Sequence, residues 1–274
     1  RRLARAGRDV TLYERRGEVG GRVRTVERDG FTLDRGFQVL FTAYPAVRRE
    51  LDLDALDLRR FEPGATIARP GSRSVLADPF REPTQVLATL RNPEVRTSDL
   101  LGLLALRRSL RRRSPGDLLP GPDRSIERFL VERGFSRAFI EHFAAPFYGG
   151  ITLDRSLSTA AGVFEYTFKM LVEGDIAVPA AGMGAIPDQL GDSARVAGVR
   201  IETDATVSDV EPTDDGTVVV EVDGETVEAD AAVVATDPPT ARSLTGVDAI
   251  PTEGRGCVTQ FYSHPAAVDL ETGA

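Results

Sequence analysis

Glu14 ends a short apolar run, Val10-Thr11-Leu12-Tyr13, and six residues later stand Gly20 and Gly21, followed at once by Arg22. A carboxylate at the end of a parallel strand is placed to accept hydrogen bonds from the ribose hydroxyls of a dinucleotide. Glycines let the backbone approach such a ligand closely, and an arginine holds a pyrophosphate through charge-assisted, bidentate bonds. Glu14, Arg15, Gly20, Gly21 and Arg22 therefore read as one dinucleotide-binding group. The Gly-rich turn that admits the pyrophosphate lies about 20 residues before such a carboxylate. Counting back from Glu14 passes Arg1, so that turn is expected upstream of these residues.

The elements that must position this group follow from turn residues and periodicity. Arg1 to Ala6 reads as the end of a helix with Gly7 as its left-handed cap, leading into the strand that closes on Glu14. Strands at Val23 to Glu27 and Phe31 to Leu33 flank Asp29-Gly30, a pair that tolerates the positive φ of a hairpin turn. A short helix is expected from Tyr44 to Leu51, then strand-like sequence from Leu58 to Leu76 broken at Pro63-Gly64 and Pro70-Gly71. Residues 83–173 change to helical spacing, with leucines crowded between Leu100 and Leu106 ahead of Arg107 to Arg113. A helix opened by Ser125 stops at Gly134, and another is expected from Ser158 to Val172. A helix through Ile186 and Leu190 precedes a β-meander over Ala205 to Val210, Thr217 to Val222 and Thr226 to Glu228. Ala231 to Ala235 is a continuous apolar run, which predicts a parallel strand buried on both faces, and Asp237-Pro238-Pro239 then opens a helix.

The block from Leu12 to Arg22 resembles the motif of the FAD-dependent amine-oxidoreductase superfamily, which includes monoamine oxidases, protoporphyrinogen oxidase and phytoene desaturases. Asp34-Arg35-Gly36-Phe37-Gln38 is similar to the family segment beside the flavin ring, so the resemblance adds Gly36, Phe37 and Gln38 to the FAD-binding residues. Val178 to Pro187 looks like the family's Pro-x-Gly-Gly-Met element, with Ala181 where the first glycine is usual. Thr206-Val207 falls where family members place a backbone contact to adenine, and Ala229 to Pro239 resembles the strand and turn that return the chain to the cofactor domain.

The fold this implies is α/β, with an interrupted Rossmann-like FAD domain, a mainly helical inserted substrate domain and a β-meander. The expected divisions are 1–82 for the first part of the FAD domain, 83–173 for the substrate domain and 174–274 for the second part. The family segment that caps the flavin is expected beyond residue 274. The chemistry implied is hydride transfer from a substrate carbon to flavin N5, either CH–CH desaturation or CH–NH oxidation. Amine oxidases of the superfamily resemble one another in a lysine that follows the return strand. Pro238 to Tyr262 holds no lysine and has Cys257 near that place, which favours desaturation or porphyrinogen oxidation. Two other activities share the resemblance: a non-enzymatic prenyl-protein carrier of the GDP-dissociation-inhibitor type, and a flavin-dependent mutase. The intact group around Glu14 and Arg22 favours flavin binding over the carrier.

Composition limits the remaining choices. Lys+Arg total 34 against 42 Asp+Glu, and a net charge of -8 argues against sequence-independent nucleic-acid binding. Lys169 is the only lysine, a bias that fits either the base composition of the gene or a high-salt cytoplasm. One cysteine, Cys257, allows neither an internal disulfide nor a cysteine-rich metal site, so no metal is expected and the cytoplasm is the default compartment. No run of about 20 apolar residues is present to span a bilayer. The substrate is expected to be small and apolar, against Phe139, Phe143, Phe147, Tyr148, Phe164 and Phe168, with an electron acceptor of unspecified identity. The catalytic residues are not legible; Asp154 and Glu165 are candidate proton acceptors by position, His142 reads as a satisfied, half-buried histidine, and Lys169 as a solvated or snorkelling side chain. Leu100 to Arg113, an apolar body with a basic end, suits peripheral contact with an anionic membrane.

Overall fold

The computed structural model describes residues 1–36, 38–77, 92, 94–120 and 124–263. They divide into two compact units, one of Arg1–Gly36 with Ala181–Gly256 and one of Phe37–Ala180 with Cys257–Ala274.

In the first unit the helix Arg2–Arg5 ends through Gly7, at φ 80°, and the chain enters the strand Thr11–Glu14. That strand pairs in parallel with Arg200–Thr203, Thr11 opposite Arg200 and Glu14 opposite Thr203. The helix Ala185–Val196 leads into the second strand of this pair, with Gly198 at φ 89° making the turn. The strands Thr25–Arg28 and Phe31–Asp34 form the expected hairpin, and Asp29 and Gly30 both take the positive φ of a primed turn. A three-stranded antiparallel meander, Val207–Pro212, Val218–Val222 and Glu225–Ala229, buries Val220 and Val222 with Ala205. Asp237 then caps the helix Pro238–Thr245 by accepting a hydrogen bond from Thr240 N.

The segment 231–235 departs from the sequence reading. It pairs with no strand among the described residues, and Val233 is 79% exposed. An apolar run becomes a central parallel strand only when strands flank it and helices cover it. The parallel sheet described here consists of the two strands paired at Glu14 and Thr203, and 231–235 does not join it.

In the second unit Leu40–Phe41 and Leu58–Arg60 flank Ile176–Pro179 in an antiparallel sheet, and Gly64–Arg69 pairs with Ser72–Ala77 around Pro70-Gly71. Among the described residues its α-helices are Pro45–Glu50, Thr97–Leu110, Ile126–Glu132, Arg137–Phe139, Ala145–Thr152 and Ala161–Glu173. A π-helical turn, Ile140–Ala144, links Arg137–Phe139 to Ala145–Thr152. Pro146 has no N–H to close the usual bond to the His142 carbonyl, and the backbone takes the wider turn just before it.

The contacts of the second unit extend from its hairpin to its helices. Ile67 and Leu76 of the hairpin share one buried core with Leu106, Phe129, Phe139 and Phe164 of the helices. Burial of that shared apolar surface places the hairpin with the helices rather than with the strand of Glu14. The junctions between the units fall at 36/37, 180/181 and 256/257.

Candidate functional site

The strand end at Glu14 is fixed by the backbone before any side chain acts. Glu14 O accepts a hydrogen bond from Ala205 N at 3.0 Å, and Arg16 O accepts one from Asp204 N at 3.0 Å. This pairing sets Val207, two residues past Ala205, on the strand that follows directly from Glu14's neighbour. Glu14 Oε1 accepts from Arg16 N at 2.9 Å. Arg15 lies within electrostatic reach of Asp237, whose carboxyl is held below its usual range first by hydrogen bonds from Thr240.

The glycine loop folds back on the same unit. Val23 N donates to Gly20 O at 2.9 Å, closing a tight turn, and Arg16 Nη1 donates to Gly21 O at 3.3 Å. The two glycines do different work. Gly20, at φ 116°, lies where a Cβ would come within 2.7 Å of Val23 O and 2.9 Å of Pro187 Cγ, so its lack of a side chain seats the loop on the helix start. Gly21, at φ 57°, has open space at its Cβ position. Beside the loop is a cavity of about 120 Å³ lined by Glu18, Val23, Arg24, Thr25, Gly184 and Asp188.

The element resembling Pro-x-Gly-Gly-Met holds the hairpin. Thr25 Oγ1 donates to Asp34 Oδ1 at 2.6 Å, Met183 N donates to the same oxygen at 2.8 Å, and Gly184 N donates to Thr25 Oγ1 at 2.8 Å. Gly182, at φ 83°, leaves room for this knot, since a Cβ there would meet Thr25 Oγ1 at 2.5 Å. Thr25, Arg16 and Pro187 were not singled out by the sequence. Thr25 follows Arg22-Val23-Arg24 as a plain strand residue, and its role arises only when residues 182–184 reach it from far along the chain.

Glu14, Arg15, Gly20, Gly21, Arg22, Gly36 and Val207 all belong to the first unit, and Gly36 takes φ 92°. Phe37 lies outside the described residues, and Gln38 belongs to the second unit. An extended nucleotide needs a ribose acceptor, a bare backbone and a cation, the chemistry of Glu14, Gly21 and Arg22, and Gly21 has open space where a Cβ would stand. The residues present fit such a group.

In the second unit the candidate proton acceptors are committed to structure. Asp154 accepts from the backbone N–H and hydroxyl of both Ser156 and Ser158, stapling its own loop. Glu165 pairs with Arg113 at 3.1 Å. Lys169 is neither solvated nor snorkelling: its side chain is 5% exposed and Nζ donates to Leu110 O at 3.0 Å, satisfying an orphan carbonyl at the end of the Thr97–Leu110 helix. Phe139, Tyr148 and Phe164 are core residues, while Phe143, Phe147 and Phe168 are partly buried against them. Burial drives the Tyr148 phenol well above its ordinary range, so it stays neutral.

His142 has the partner its reading implied. Its Nδ1 contacts Glu94 Oε2, and Arg69 Nη1 donates to Glu94 Oε1 at 2.8 Å. The Arg69 hydrogen bond is the chief cause that holds the Glu94 carboxyl below its usual range, with His142 adding to it. A depressed folded-state value gives stability that is present above the unfolded carboxylate value of about 4.3 and lost as pH falls through the folded one. Glu94→Gln is therefore expected to flatten the acid limb of the stability profile, measured by urea unfolding between about pH 3 and pH 6. An unchanged acid limb in the variant would show that this carboxylate is not linked to folding.

Residues 1–255 match the family model for flavin containing amine oxidoreductases. A carotenoid 3,4-desaturase of Haloarcula japonica is 25% identical over 263 residues, covering 86% of this chain and 52% of that protein. A phytoene dehydrogenase of Streptomyces griseus is 29% identical over 274 residues, covering 89% of this chain and 52% of that protein. The crystal structure of an oxidoreductase from Methanosarcina mazei has a TM-score of 0.66 at 21% identity, covering 89% of this chain and 57% of that one, which is a likeness of fold. The chain spans about half the length of the curated relatives it matches.

Proposed function

This chain belongs to the flavin containing amine oxidoreductase family, and from that premise we propose that the whole protein is an FAD-dependent oxidoreductase that desaturates a carbon–carbon bond of a small, apolar substrate. The observation that carries the reading is the open backbone at Gly21, in the run of sequence from Glu14 to Arg22. The Glu14 carboxylate would accept the ribose hydroxyls, Arg22 would hold the pyrophosphate, and the backbone at Val207 would meet adenine. Gly36 would lie along the ring side of the same group. When bound, FAD supplies the two-electron acceptor for a hydride leaving the substrate carbon.

What this chain contributes is binding, orientation and exclusion of water. The Thr25, Asp34, Met183 and Gly184 hydrogen bonds fix the hairpin that leads to Gly36. The partly buried Phe143, Phe147 and Phe168 offer apolar surface in the second unit. Desaturation rather than amine oxidation is favoured by the absence of lysine from Pro238 to Tyr262, and the names of the relatives from Haloarcula japonica and Streptomyces griseus agree with it.

The test uses the full-length protein. Anaerobic mixing with a detergent-solubilised polyene is expected to bleach the flavin and yield a product with one further double bond, while primary amines leave it oxidised. Bleaching by amines alone would overturn the desaturase reading, and failure to take up FAD at all would overturn the flavin reading. Arg22→Ala is expected to weaken FAD binding roughly tenfold to a hundredfold, since charge-assisted bonds contribute about 1.5–3 kcal/mol, as followed by quenching of flavin fluorescence. Unchanged affinity in that variant would remove Arg22 from the site.

A further inference from the structure

We propose that His142 is the general base of the desaturation and Glu94 the positioning residue that holds its ring, an inference that rests on the desaturase reading above. Two hydrogens must leave adjacent carbons of the substrate, and they need two acceptors. One leaves as a hydride, taken at flavin N5. The other leaves as a proton to His142 Nε2, and the electron pair of that second C–H bond becomes the new double bond.

The geometry is that of a carboxylate–imidazole dyad. Glu94 is buried, and each of its carboxylate oxygens has its own partner: Arg69 Nη1 donates to Oε1 at 2.8 Å, and His142 Nδ1 meets Oε2. The guanidinium keeps the carboxylate ionised, so Oε2 can only accept and Nδ1 carries the ring proton. Nε2 is then the basic nitrogen. It has no hydrogen-bond partner among the described residues, and the side chain is 28% exposed, so a reacting group can reach it. Charge balance does not require the histidine, because Arg69 already neutralises Glu94. Glu94 is anchored in turn by its own N–H, which donates to Asn92 Oδ1 at 2.9 Å.

The surroundings suit the same role. His142 lies in the π-helical turn Ile140–Ala144, a local widening that recurs at functional sites. The next residue, Phe143, stacks on Phe147 with ring centroids 5.5 Å apart, and both belong to the apolar surface proposed for the substrate. The neighbouring charges on this stretch, Arg137 and Glu141, pair with each other at 2.6 Å and leave the imidazole to Glu94. Asp154 and Glu165, the other candidate acceptors, are occupied by Ser156, Ser158 and Arg113.

The experiment follows anaerobic flavin reduction by a detergent-solubilised polyene in full-length, FAD-loaded protein, with FAD affinity and melting temperature measured alongside. His142→Ala is expected to slow reduction about a hundredfold or more, with FAD affinity within about twofold of the parent, and added imidazole is expected to restore at least about tenfold. His142→Gln keeps an N–H for Glu94 and is expected to show the same loss at an unchanged melting temperature. Glu94→Gln, which no longer fixes the ring, is expected to slow reduction more than about tenfold. Rates within about threefold of the parent in both His142 variants overturn the proposal. So does a loss in folded His142→Ala that imidazole does not restore, and unfolding of both variants assigns the dyad to structure alone. A parent protein that the polyene fails to reduce overturns the desaturase reading instead, and this proposal falls with it.

Discussion

Gly20→Ala is expected to destabilise the first unit by about 3 kcal/mol and to release the flavin, because it forces a side chain into a positive φ and into its neighbours at once. The φ of 116° is outside the ordinary range of L residues, and the added Cβ would come within 2.7 Å of Val23 O and 2.9 Å of Pro187 Cγ. Neither neighbour can yield cheaply, one being backbone and the other a proline ring at the start of the Ala185–Val196 helix. The loop must therefore lift from that helix, carrying Gly21 and Arg22 with it. Gly21→Ala separates the two effects. With open space around its Cβ and φ at 57°, it is expected to lower stability by only about 1 kcal/mol while still weakening FAD binding. Thermal melts and bound flavin, measured together, decide the matter. A Gly20→Ala protein as stable and as yellow as the parent would show that the loop does not rest on Pro187.

The second large effect lies far from that loop. Asp99 is fully buried and holds three donors: Ser136 N at 2.7 Å, Ser136 Oγ at 2.6 Å and Arg96 N at 2.8 Å. The Arg96 bond is the reach of an N3 carboxylate back to the start of its own helix. Ser136 in turn caps the Arg137–Phe139 helix by accepting from Phe139 N, so one carboxylate organises the beginnings of two helices. Asp99→Ala leaves those buried donors without an acceptor, at about 1–3 kcal/mol for each unsatisfied group, and is expected to cost roughly 4 kcal/mol in all. Asp99→Asn keeps the shape but turns an amide N–H toward a donor, and roughly half that loss is expected. Urea unfolding followed by far-UV circular dichroism measures both. A loss below about 1 kcal/mol for Asp99→Ala would mean that water replaces the carboxylate.

Sequence gives Gly20 and Gly21 the same expected role, close approach to a cofactor. Pro187 separates them, and it lies more than 160 positions along the chain. Asp99 was not legible at all, because a lone aspartate at the start of a helix reads as an ordinary cap until Ser136 is packed beside it. Lys169 was misread for the same reason: its burial depends on the carbonyl of Leu110, which belongs to another helix. Asp154 and Glu165 were raised as proton acceptors from position alone, and the serines and the arginine around them leave neither free for that work.

The sequence by itself determined what depends on neighbours in the chain. The Asp29-Gly30 turn, the Ser125 and Asp237 caps, the meander and the run from Glu14 to Arg22 follow from φ preferences, side-chain period and short spacings. Only the tertiary structure decided what depends on distant partners. It showed that 231–235 pairs with no strand among the described residues, and that the hairpin around Pro70-Gly71 joins the helical core. It also tied Thr25 and Asp34 to Met183 and Gly184. Burial and hydrogen-bond satisfaction are set by which surfaces meet, and a linear pattern records the surfaces without recording the meeting.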